Sequence, residues 1–182
     1  MSDGKNSADN YLRDMWRLAA KIMAGGWKPD VLIALWRGGA PVGVAIHEYF
    51  KVAGWRDIRH TAIKCSSYTG VNANDDDVRF EYSAEVIAAL KAGEKVLIVD
   101  DVFDTGKTAL AVKRMMDAKG VDMRLATVYW KPSKNLTNMK PDYNVNEVSD
   151  DWIVFPHEIE GLSRDEVFAK DPELARLIDV SK

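Results

Sequence analysis

The sequence predicts an α/β fold in which a central parallel sheet is flanked by helices. Residues 31–35 and residues 96–99 are consecutive apolar residues, and each run is followed by a glycine-containing turn and then by apolar residues at helical spacing. Uninterrupted apolar runs rich in β-branched residues are typical of strands that are buried on both faces, as the strands of a parallel sheet are. The order of strand, turn and helix therefore occurs twice, and it indicates the fold class.

The individual elements are predicted from sequence period and from the residues that mark their ends. Apolar residues at helical spacing predict helices, and apolar or β-branched runs predict strands. The polar residues 1–8 are expected to be disordered, and residues 141–151 show no regular pattern. The predicted elements are a helix at 9–23, a strand at 31–35, a helix at about 42–49, a strand at 57–65, a helix at about 83–91, the central strand at 96–99, a helix at about 109–119, a strand at 123–130 and short helices at about 163–180.

The bulk composition excludes several classes of protein. The chain has 182 residues, a hydrophobic content of 47% and a charged content of 29%, which predicts a single globular domain over residues 1–182. The formal net charge of −3 gives no attraction to nucleic acid or to an anionic membrane, and no apolar run reaches membrane-spanning length. Cys65 is the single cysteine, which excludes an internal disulfide and favours a reducing compartment, the cytoplasm.

Polar residues follow the predicted central strand at once. Asp100 and Asp101 come directly after residues 96–99, at the carboxyl end of the strand, where open α/β sheets bind their ligands. Asp104, Thr105 and Gly106 then lead into a helix, whose first N–H groups and positive dipole end suit a phosphate. Two carboxylates that can accept from hydroxyl groups, beside a turn that suits a phosphate, indicate a site for a ribose 5-phosphate.

Three other interpretations fit parts of this stretch. Gly106-Lys107-Thr108 looks like the end of a Walker loop, but the first glycine of that motif would stand at position 101, which is Asp. A receiver domain also opens with an apolar strand and an acidic pair, but residues 102–182 carry no second strand-end Asp followed by a strand-end Lys. An ordinary turn with solvated acids is the third, and four specific polar residue types at fixed spacing disfavour it.

A second glycine turn follows the strand at residues 31–35. Arg37-Gly38-Gly39 stands there. Paired glycines let backbone N–H groups approach an anion closely, and the guanidinium of Arg37 adds several N–H donors. By itself this stretch is equally consistent with a tight turn and a surface arginine. Because the 100–108 stretch already suggests a phosphate site, we interpret residues 37–39 as a second anion-binding loop.

A long polar segment, residues 66–81, separates the third predicted strand from the next helix. It begins with Ser66-Ser67-Tyr68 and has no periodicity, and loops of this length in compact domains are usually functional lids or disordered segments. Its acidic run at 75–77 could bind a cation, although solvated disorder is the simpler interpretation. We expect a lid that begins at Ser66.

Two further positions are candidates for ligand contacts. Lys131 precedes Pro132, which ends the strand at 123–130 and leaves the lysine at a strand end near the other loops; a surface lysine at a turn is the alternative. Trp152 and Ile153 open a short apolar segment that Pro156 ends. An aromatic side chain there could stack on a flat base, although a place in the core is the commoner role.

Residues 31–158 resemble the type I phosphoribosyltransferases, specifically the bacterial and archaeal members that salvage 6-oxopurines (hypoxanthine, xanthine and guanine). Residues 96–108 match the diphosphate-sugar motif of that family at its defining positions. Arg37-Gly38-Gly39 matches the diphosphate loop, where the peptide before the arginine is cis in many relatives. Ser66-Ser67-Tyr68 matches the start of the mobile lid, and Lys131-Pro132 and Asp151-Trp152-Ile153 match the purine-binding part, or hood, expected at about residues 134–160.

The resemblance implies a reaction and a set of partners. A purine base and 5-phosphoribosyl 1-diphosphate would give a nucleoside monophosphate and diphosphate, with Mg²⁺ on the diphosphate and ribose oxygens. Catalysis would be mostly positioning and stabilisation of the leaving group. Relatives form dimers or tetramers, so a homo-oligomer is expected, and neither nucleic acid nor a membrane is an expected partner.

The resemblance also implies residue roles. Asp100 and Asp101 would hold the ribose hydroxyls and, partly through substrate and water, Mg²⁺, while Asp104 would lie by the purine N7 as general base. Lys131 would donate to the 6-oxo group. The remaining roles are diphosphate binding by Arg37, Gly38 and Gly39, 5-phosphate binding by Asp104, Thr105, Gly106, Lys107 and Thr108, lid closure by Ser66, Ser67 and Tyr68, and purine contact by Trp152 and Ile153.

Some features depart from the family pattern and leave rival functions open. Trp36 is bulky where relatives often have a small residue, and His157-Glu158 stands where some have Trp-Asp, a region that contacts the purine 2-position. The preferred purine is therefore open, and the helices after Ser163 have no functional account. One rival is a non-catalytic regulator on the same fold that binds nucleotide and RNA, which the net acidity disfavours. Another is a transferase for a different base.

Overall fold

The computed structural model describes residues 7–67, 78–81 and 83–180. Residues 9–151 make up one compact unit, and residues 152–180 belong to a second, so the expected single domain over the whole chain stays a prediction. The elements of the first unit are α1 (Ala8–Ala24), β1 (Val31–Trp36), α2 (Gly39–Val52), β2 (Arg59–Ser67), β3 (Val78–Glu81), α3 (Ala84–Ala89), β4 (Lys95–Phe103), α4 (Lys107–Lys119), β5 (Asp122–Trp130), a 3₁₀ turn (Pro132–Lys134) and β6 (Tyr143–Glu147).

The strands of the described residues form one sheet in the order β3-β2-β1-β4-β5-β6. All neighbouring pairs are parallel except β2 and β3, which are antiparallel. The central pair is β1 and β4, in which Ala34 lies opposite Val99. The predicted α/β fold with a central parallel sheet is confirmed, and the carboxyl ends of β1, β4 and β5 meet at one edge because parallel strands end on the same side.

The core explains why β1 and β4 are continuous apolar runs. Residues 96–99 have no exposed surface, and residues 31–35 are buried along their whole length. One face of these strands packs against α4, whose Val112 and Met116 belong to the same apolar cluster as Ile98. The other face packs against α2, where a Cβ on Gly43 would lie 2.9 Å from the Cβ of Ala34. A sheet covered on both faces needs apolar residues at every position.

Three predictions about strands were wrong. β4 does not end at residue 99 but runs to Phe103, so Asp100 and Asp101 lie within the strand. Residues 78–81 of the segment predicted as an irregular lid form the edge strand β3, which pairs with the end of β2. Residues 143–147, predicted to be irregular, form the edge strand β6. Edge strands are covered less than central ones and therefore carry weak apolar patterns.

The second unit contains two short helices, α5 (Arg164–Lys170) and α6 (Pro172–Val180), at the predicted positions. Ser163 forms a capping box at the start of α5: its Oγ accepts from the N–H of Glu166, and its own N–H donates to the Glu166 carboxylate at 2.7 Å. At the other end of the chain α1 begins at Ala8, and residues 1–6 of the segment expected to be disordered lie outside the described residues. Within the described ranges, no helix has the length and apolar character needed to cross a membrane.

Candidate active site

The site is built around the end of β4. The Oδ1 atom of Asp100 accepts from the N–H of Asp101 at 3.0 Å, and Oδ1 of Asp101 accepts from the N–H of Val102 at 2.7 Å. Burial raises the pKa of Asp100 well above its usual value, and the neighbouring Asp101 charge raises it further. Two adjacent carboxyl groups in a partly buried place repel each other, which favours a ligand that brings positive charge or hydroxyl donors.

The glycine turn after β1 lies directly against these carboxyl groups. A Cβ on Gly38 would overlap the Asp101 carboxylate, and one on Gly39 would lie 2.5 Å from the carbonyl oxygen of Val99. Close packing against the backbone requires glycine at position 39, and a side chain at position 38 would displace the Asp101 carboxylate. The peptide between Trp36 and Arg37 is cis, as the family resemblance implied, and Arg37 is exposed beside this turn. The structure thus brings residues 37–39 and 100–101 together.

The turn between β4 and α4 has the geometry expected of a phosphate site. Gly106 precedes the helix with a φ of 81°, a left-handed conformation that favours glycine. The N–H of Lys107 donates to Thr105 Oγ1 at 3.4 Å, and Thr108 lies in the first turn of the helix. The first N–H groups of a helix have no intrahelical acceptors, so they can bind an anion.

Residues 135–139, which we call the brace, support this turn and were missed by sequence reasoning. The N–H of Leu136 donates to the Thr105 carbonyl at 2.9 Å, and a Cβ on Gly106 would lie 2.5 Å from Thr137 Oγ1. Asn135 holds the brace in shape, because its Oδ1 accepts from the N–H and the hydroxyl of Thr137, both at 2.9 Å. Its Nδ2 donates to the Met139 carbonyl at 2.6 Å.

Asp104 lies between two ammonium groups. Its Oδ2 is 3.6 Å from Nζ of Lys131 and 3.7 Å from Nζ of Lys134. Lys131 is 2% exposed, which contradicts the alternative of a surface lysine. The other carboxylate oxygen, Oδ1, is buried and receives no hydrogen bond from any group in the described part of the chain. Asp104 therefore has one oxygen facing positive charge and one oxygen that lacks a donor.

Sequence reasoning also missed Lys134. It stands three residues after Lys131, at the end of the 3₁₀ turn Pro132–Lys134. A 3₁₀ turn has about three residues per turn, so residues i and i+3 lie on the same side. The signal that could have found it was the Lys-Pro-x-Lys spacing, because a proline at the first position favours such a turn.

The remaining predicted site residues either belong to the second unit, lie at the end of β2 or fall outside the described residues. Trp152 and Ile153 belong to the second unit, and the Trp152 side chain is 77% exposed, so their contact with a purine beside Lys131 stays a prediction. Ser66 and Ser67 end β2, where their backbones pair with Arg79 and Val78. Tyr68 and the acidic run at 75–77 lie outside the described residues.

The carboxyl groups of Asp100 and Asp101 fit a magnesium ion that also binds a substrate. Mg²⁺ prefers oxygen ligands and is often held by one or two carboxylates together with phosphate oxygens. In the described ranges, no group of three or more His, Cys, Asp or Glu side chains could hold a metal ion. A two-carboxylate site therefore needs oxygen ligands from the substrate to complete it, and the repulsion that raises the pKa of Asp100 would be relieved by a cation.

Comparison with known proteins finds relatives in sequence and in structure. The chain is 30% identical over 89 residues to the hypoxanthine-guanine phosphoribosyltransferase of Lactococcus lactis subsp. lactis (strain IL1403). That match spans 49% of this chain and 47% of the relative, so the chain covers about half the length of that curated protein. A purine phosphoribosyltransferase from Pyrococcus horikoshii Ot3 is 28% identical, with a TM-score of 0.64 over 84% of this chain and 92% of that one.

A third comparison shows the fold alone, because the sequences are only 22% identical. A hypothetical protein from Neisseria gonorrhoeae, solved with bound ppGpp, has a TM-score of 0.69 over 97% of this chain and 95% of its own. Residues 7–163, which are more than half of the chain, match the family described as the phosphoribosyl transferase domain. The predicted resemblance is thereby confirmed, and the chain belongs to the phosphoribosyl transferase domain family.

Proposed function

We propose that this protein transfers a phosphoribosyl group from 5-phosphoribosyl 1-diphosphate to a 6-oxopurine and releases diphosphate. The observation that carries the proposal is the pairing of Asp104 with Lys131. A 6-oxopurine presents an N–H donor at N7 and a carbonyl acceptor at C6 on the same edge of the ring. Asp104 supplies a buried oxygen without a donor, and Lys131 supplies a buried ammonium 3.6 Å from the other oxygen of the same carboxylate.

The pair predicts discrimination against adenine. Adenine has an amino group at C6, which would place a donor against the ammonium of Lys131. A site built for a hydrogen bond rejects a ligand that leaves the buried polar group unpaired. Family membership and the two purine phosphoribosyltransferases that resemble the chain support the same substrate class. The choice among guanine, hypoxanthine and xanthine is open.

In the proposed reaction the purine N9 forms a bond to C1′ of the sugar while the bond from C1′ to the diphosphate oxygen breaks. The diphosphate leaves with the bonding electron pair, and the proton on N7 passes to Oδ1 of Asp104. Asp100 and Asp101 accept from the ribose hydroxyls, and residues 104–108 hold the 5-phosphate. Arg37, Gly38 and Gly39 bind the diphosphate. These residues act by positioning the two reactants and by stabilising the departing charge.

The metal, the lid and the hood belong to the same proposal. Mg²⁺ held by Asp100, Asp101 and substrate oxygens would neutralise charge on the leaving diphosphate. The lid that begins at Ser66 and Ser67 and includes Tyr68 excludes water, because hydrolysis of the sugar diphosphate competes with transfer. Trp152 stacks on the purine, and the main chain at Ile153 meets its edge. We further propose a homo-oligomer, dimer or tetramer, that acts in the cytoplasm.

A substrate panel tests the proposal. The protein is incubated with Mg²⁺, 5-phosphoribosyl 1-diphosphate and one of guanine, hypoxanthine, xanthine, adenine, uracil or orotate, and the nucleoside monophosphate and diphosphate are quantified. We expect turnover of at least one 6-oxopurine and none of adenine, uracil or orotate. Turnover of adenine or a pyrimidine alone would contradict the roles given to Lys131 and Trp152. Turnover of no base, with retained nucleotide binding, would favour the non-catalytic regulator.

A further inference from the structure

Strand β5 carries a buried hydroxyl group close to the end of β4. Thr127 is 1% exposed, and its Oγ1 forms no hydrogen bond with any group in the described part of the chain. A buried polar group that lacks a partner costs free energy, and a valine of nearly the same shape would avoid that cost. Packing alone therefore does not account for a threonine at this position.

The register of the sheet places Thr127 between two polar residues. It lies opposite Asp100 of β4 on one side and opposite Asn144 of β6 on the other. Residues in register on neighbouring strands project from the same face of the sheet, because side chains alternate along every strand. Neighbouring strands are about 4.8 Å apart, so a rotation about the Cα–Cβ bond brings the Thr127 hydroxyl within reach of either side chain.

Asp100 is the better acceptor of the two neighbours. Its Oδ1 accepts from the N–H of Asp101 at 3.0 Å, but a carboxylate has two oxygens and about four acceptor sites. It can therefore accept from the Thr127 hydroxyl and from a ribose hydroxyl at the same time. Asn144 offers a neutral amide oxygen, and hydrogen bonds to a carboxylate are about twice as strong as bonds between neutral groups.

We infer that Thr127 is a positioning residue that donates to the Asp100 carboxylate in the nucleotide complex and so orients the oxygen that accepts from the ribose hydroxyls. The inference rests on the proposed function, in which Asp100 binds the ribose. Thr127 is buried and does not itself touch the substrate. Because it acts through Asp100, its loss should weaken only those ligands that have ribose hydroxyls for Asp100 to bind.

The test measures the binding of inosine 5′-monophosphate and of its 2′,3′-dideoxy analogue to the wild type and to Thr127→Val by titration calorimetry. We expect the Kd for inosine 5′-monophosphate to rise about tenfold in Thr127→Val, the loss of one hydrogen bond to a charged group. The Kd for the dideoxy analogue should stay unchanged. The Tm should rise by about 2–4 °C, because the variant no longer buries a hydroxyl without a partner.

Three further variants serve as controls. Thr127→Ser keeps the hydroxyl and loses a methyl group, so it should restore most of the affinity for inosine 5′-monophosphate while lowering the Tm. Thr61→Val makes the same change on β2, opposite Ile33, and should leave both Kd values unchanged. Asn144→Ala removes the other neighbour of Thr127 and should also leave both Kd values unchanged.

Several results would overturn the inference. Thr127→Val might weaken both nucleotides equally or neither of them, or it might lower the Tm, which would mean that the hydroxyl is already bonded in the free protein. A loss reproduced by Asn144→Ala would make Asn144 the partner. A wild type that binds both nucleotides equally would contradict the role of Asp100 and with it the inference. Binding without turnover of any purine would contradict only the proposed transfer, because the nucleotide comparison would still decide the role of Thr127.

Discussion

At the scale of single residues, the two carboxylate oxygens of Asp104 have different surroundings. Both lysines face Oδ2, whereas Oδ1 is buried and lacks a donor within the described residues. A buried acceptor without a partner costs about 1–3 kcal/mol. The fold tolerates this cost at Oδ1 of Asp104, in the turn between β4 and α4. A ligand N–H at that atom would remove the cost, which is why we assign Oδ1 as the atom that accepts the purine proton.

Replacing Asp104 by Asn tests this assignment. Asparagine keeps the shape but cannot accept the N7 proton, so kcat should fall by about 100-fold or more, as is usual for the loss of a general base. The KM for 5-phosphoribosyl 1-diphosphate should change little, whereas the free energy of unfolding should fall, because the buried ammonium of Lys131 loses the nearby carboxylate charge. Asp117→Asn on the exposed face of α4 is the matched control, since the Asp117 carboxylate pairs with the exposed Lys113 at 2.7 Å. An unchanged kcat in Asp104→Asn would remove Asp104 as the base.

The two lysines beside Asp104 should differ in effect. Lys131→Met removes the buried donor proposed for the purine 6-oxo group, so the KM for 6-oxopurines should rise by about tenfold to a hundredfold, the value of a charge-assisted hydrogen bond. The KM for the sugar diphosphate should hardly change. Lys134→Met removes a half-exposed ammonium on the same carboxylate oxygen and should have the smaller effect. Steady-state kinetics with each substrate varied in turn decides, and equal losses for both substrates would count against the role of Lys131.

The site residues that could be predicted are those whose type is fixed by backbone geometry or by a strand end. Asp100, Asp101, Gly38, Gly39 and Gly106 are of this kind. Lys134 and Asn135 could not be found in the same way, because a lysine or asparagine in a turn has many possible partners and apolar periodicity says nothing of where its side chain points. Their roles depend on how the segment after Lys131 folds back on the turn after β4.

At the scale of elements, the predictability of a strand follows its position in the sheet. β1 and β4 are central, are covered on both faces and have unbroken apolar runs. β3 and β6 are the two edges, and the Tyr-Asn-Val-Asn-Glu sequence of β6 carries two asparagines that are unusual in strands. β6 forms because its backbone pairs with β5, with Tyr143 opposite Ala126. That pairing is a tertiary contact, which a local pattern does not contain.

The brace offers a test of how one element supports another. Asn135→Ala removes three hydrogen bonds that shape residues 135–139 and should lower the free energy of unfolding by about 1–3 kcal/mol. It should also raise the KM for 5-phosphoribosyl 1-diphosphate, because Leu136 and Thr137 contact the turn that we propose holds the 5-phosphate. Asn138→Ala changes an exposed residue of the same segment and should leave both quantities near wild type. If the two variants behave alike, the brace does not support the turn between β4 and α4.

The ring contact between His47 of α2 and His60 of β2, whose centroids are 4.1 Å apart, predicts a dependence of stability on pH. Burial and the neighbouring His60 lower the pKa of His47 in the folded protein, Lys51 lowers it further, and the Ile58 carbonyl and Glu48 oppose the shift. The unfolded chain therefore binds the proton more readily. The contribution of His47 to stability is fully present above its unfolded pKa of about 6.5 and is lost as the pH falls from there through the folded pKa.

The measurement is urea unfolding at pH values from 7.5 to 5.5, compared between the wild type and His47→Gln. Other groups also titrate in this range, so the quantity of interest is the difference between the two slopes. We expect the free energy of unfolding to fall less steeply with decreasing pH in His47→Gln. Parallel curves for the two proteins would contradict the assignment.

At the scale of the whole molecule, the site follows from the topology. Because β1, β4 and β5 are parallel neighbours, the residues that follow them meet at one edge of the sheet: the 37–39 turn, the 104–108 turn and Lys131. Each of the three comes from a different part of the sequence, and none forms a site alone. The net charge of −3 adds no long-range attraction for anionic substrates, so local groups must supply it.

The most direct test of this account is a crystal structure of the protein with a purine nucleoside monophosphate. We expect the 5-phosphate at the N–H groups of residues 104–108, the ribose hydroxyls beside Asp100 and Asp101, and the purine edge at Asp104 and Lys131. A nucleotide bound elsewhere, with the turn after β4 unoccupied under saturating conditions, would contradict the central claim.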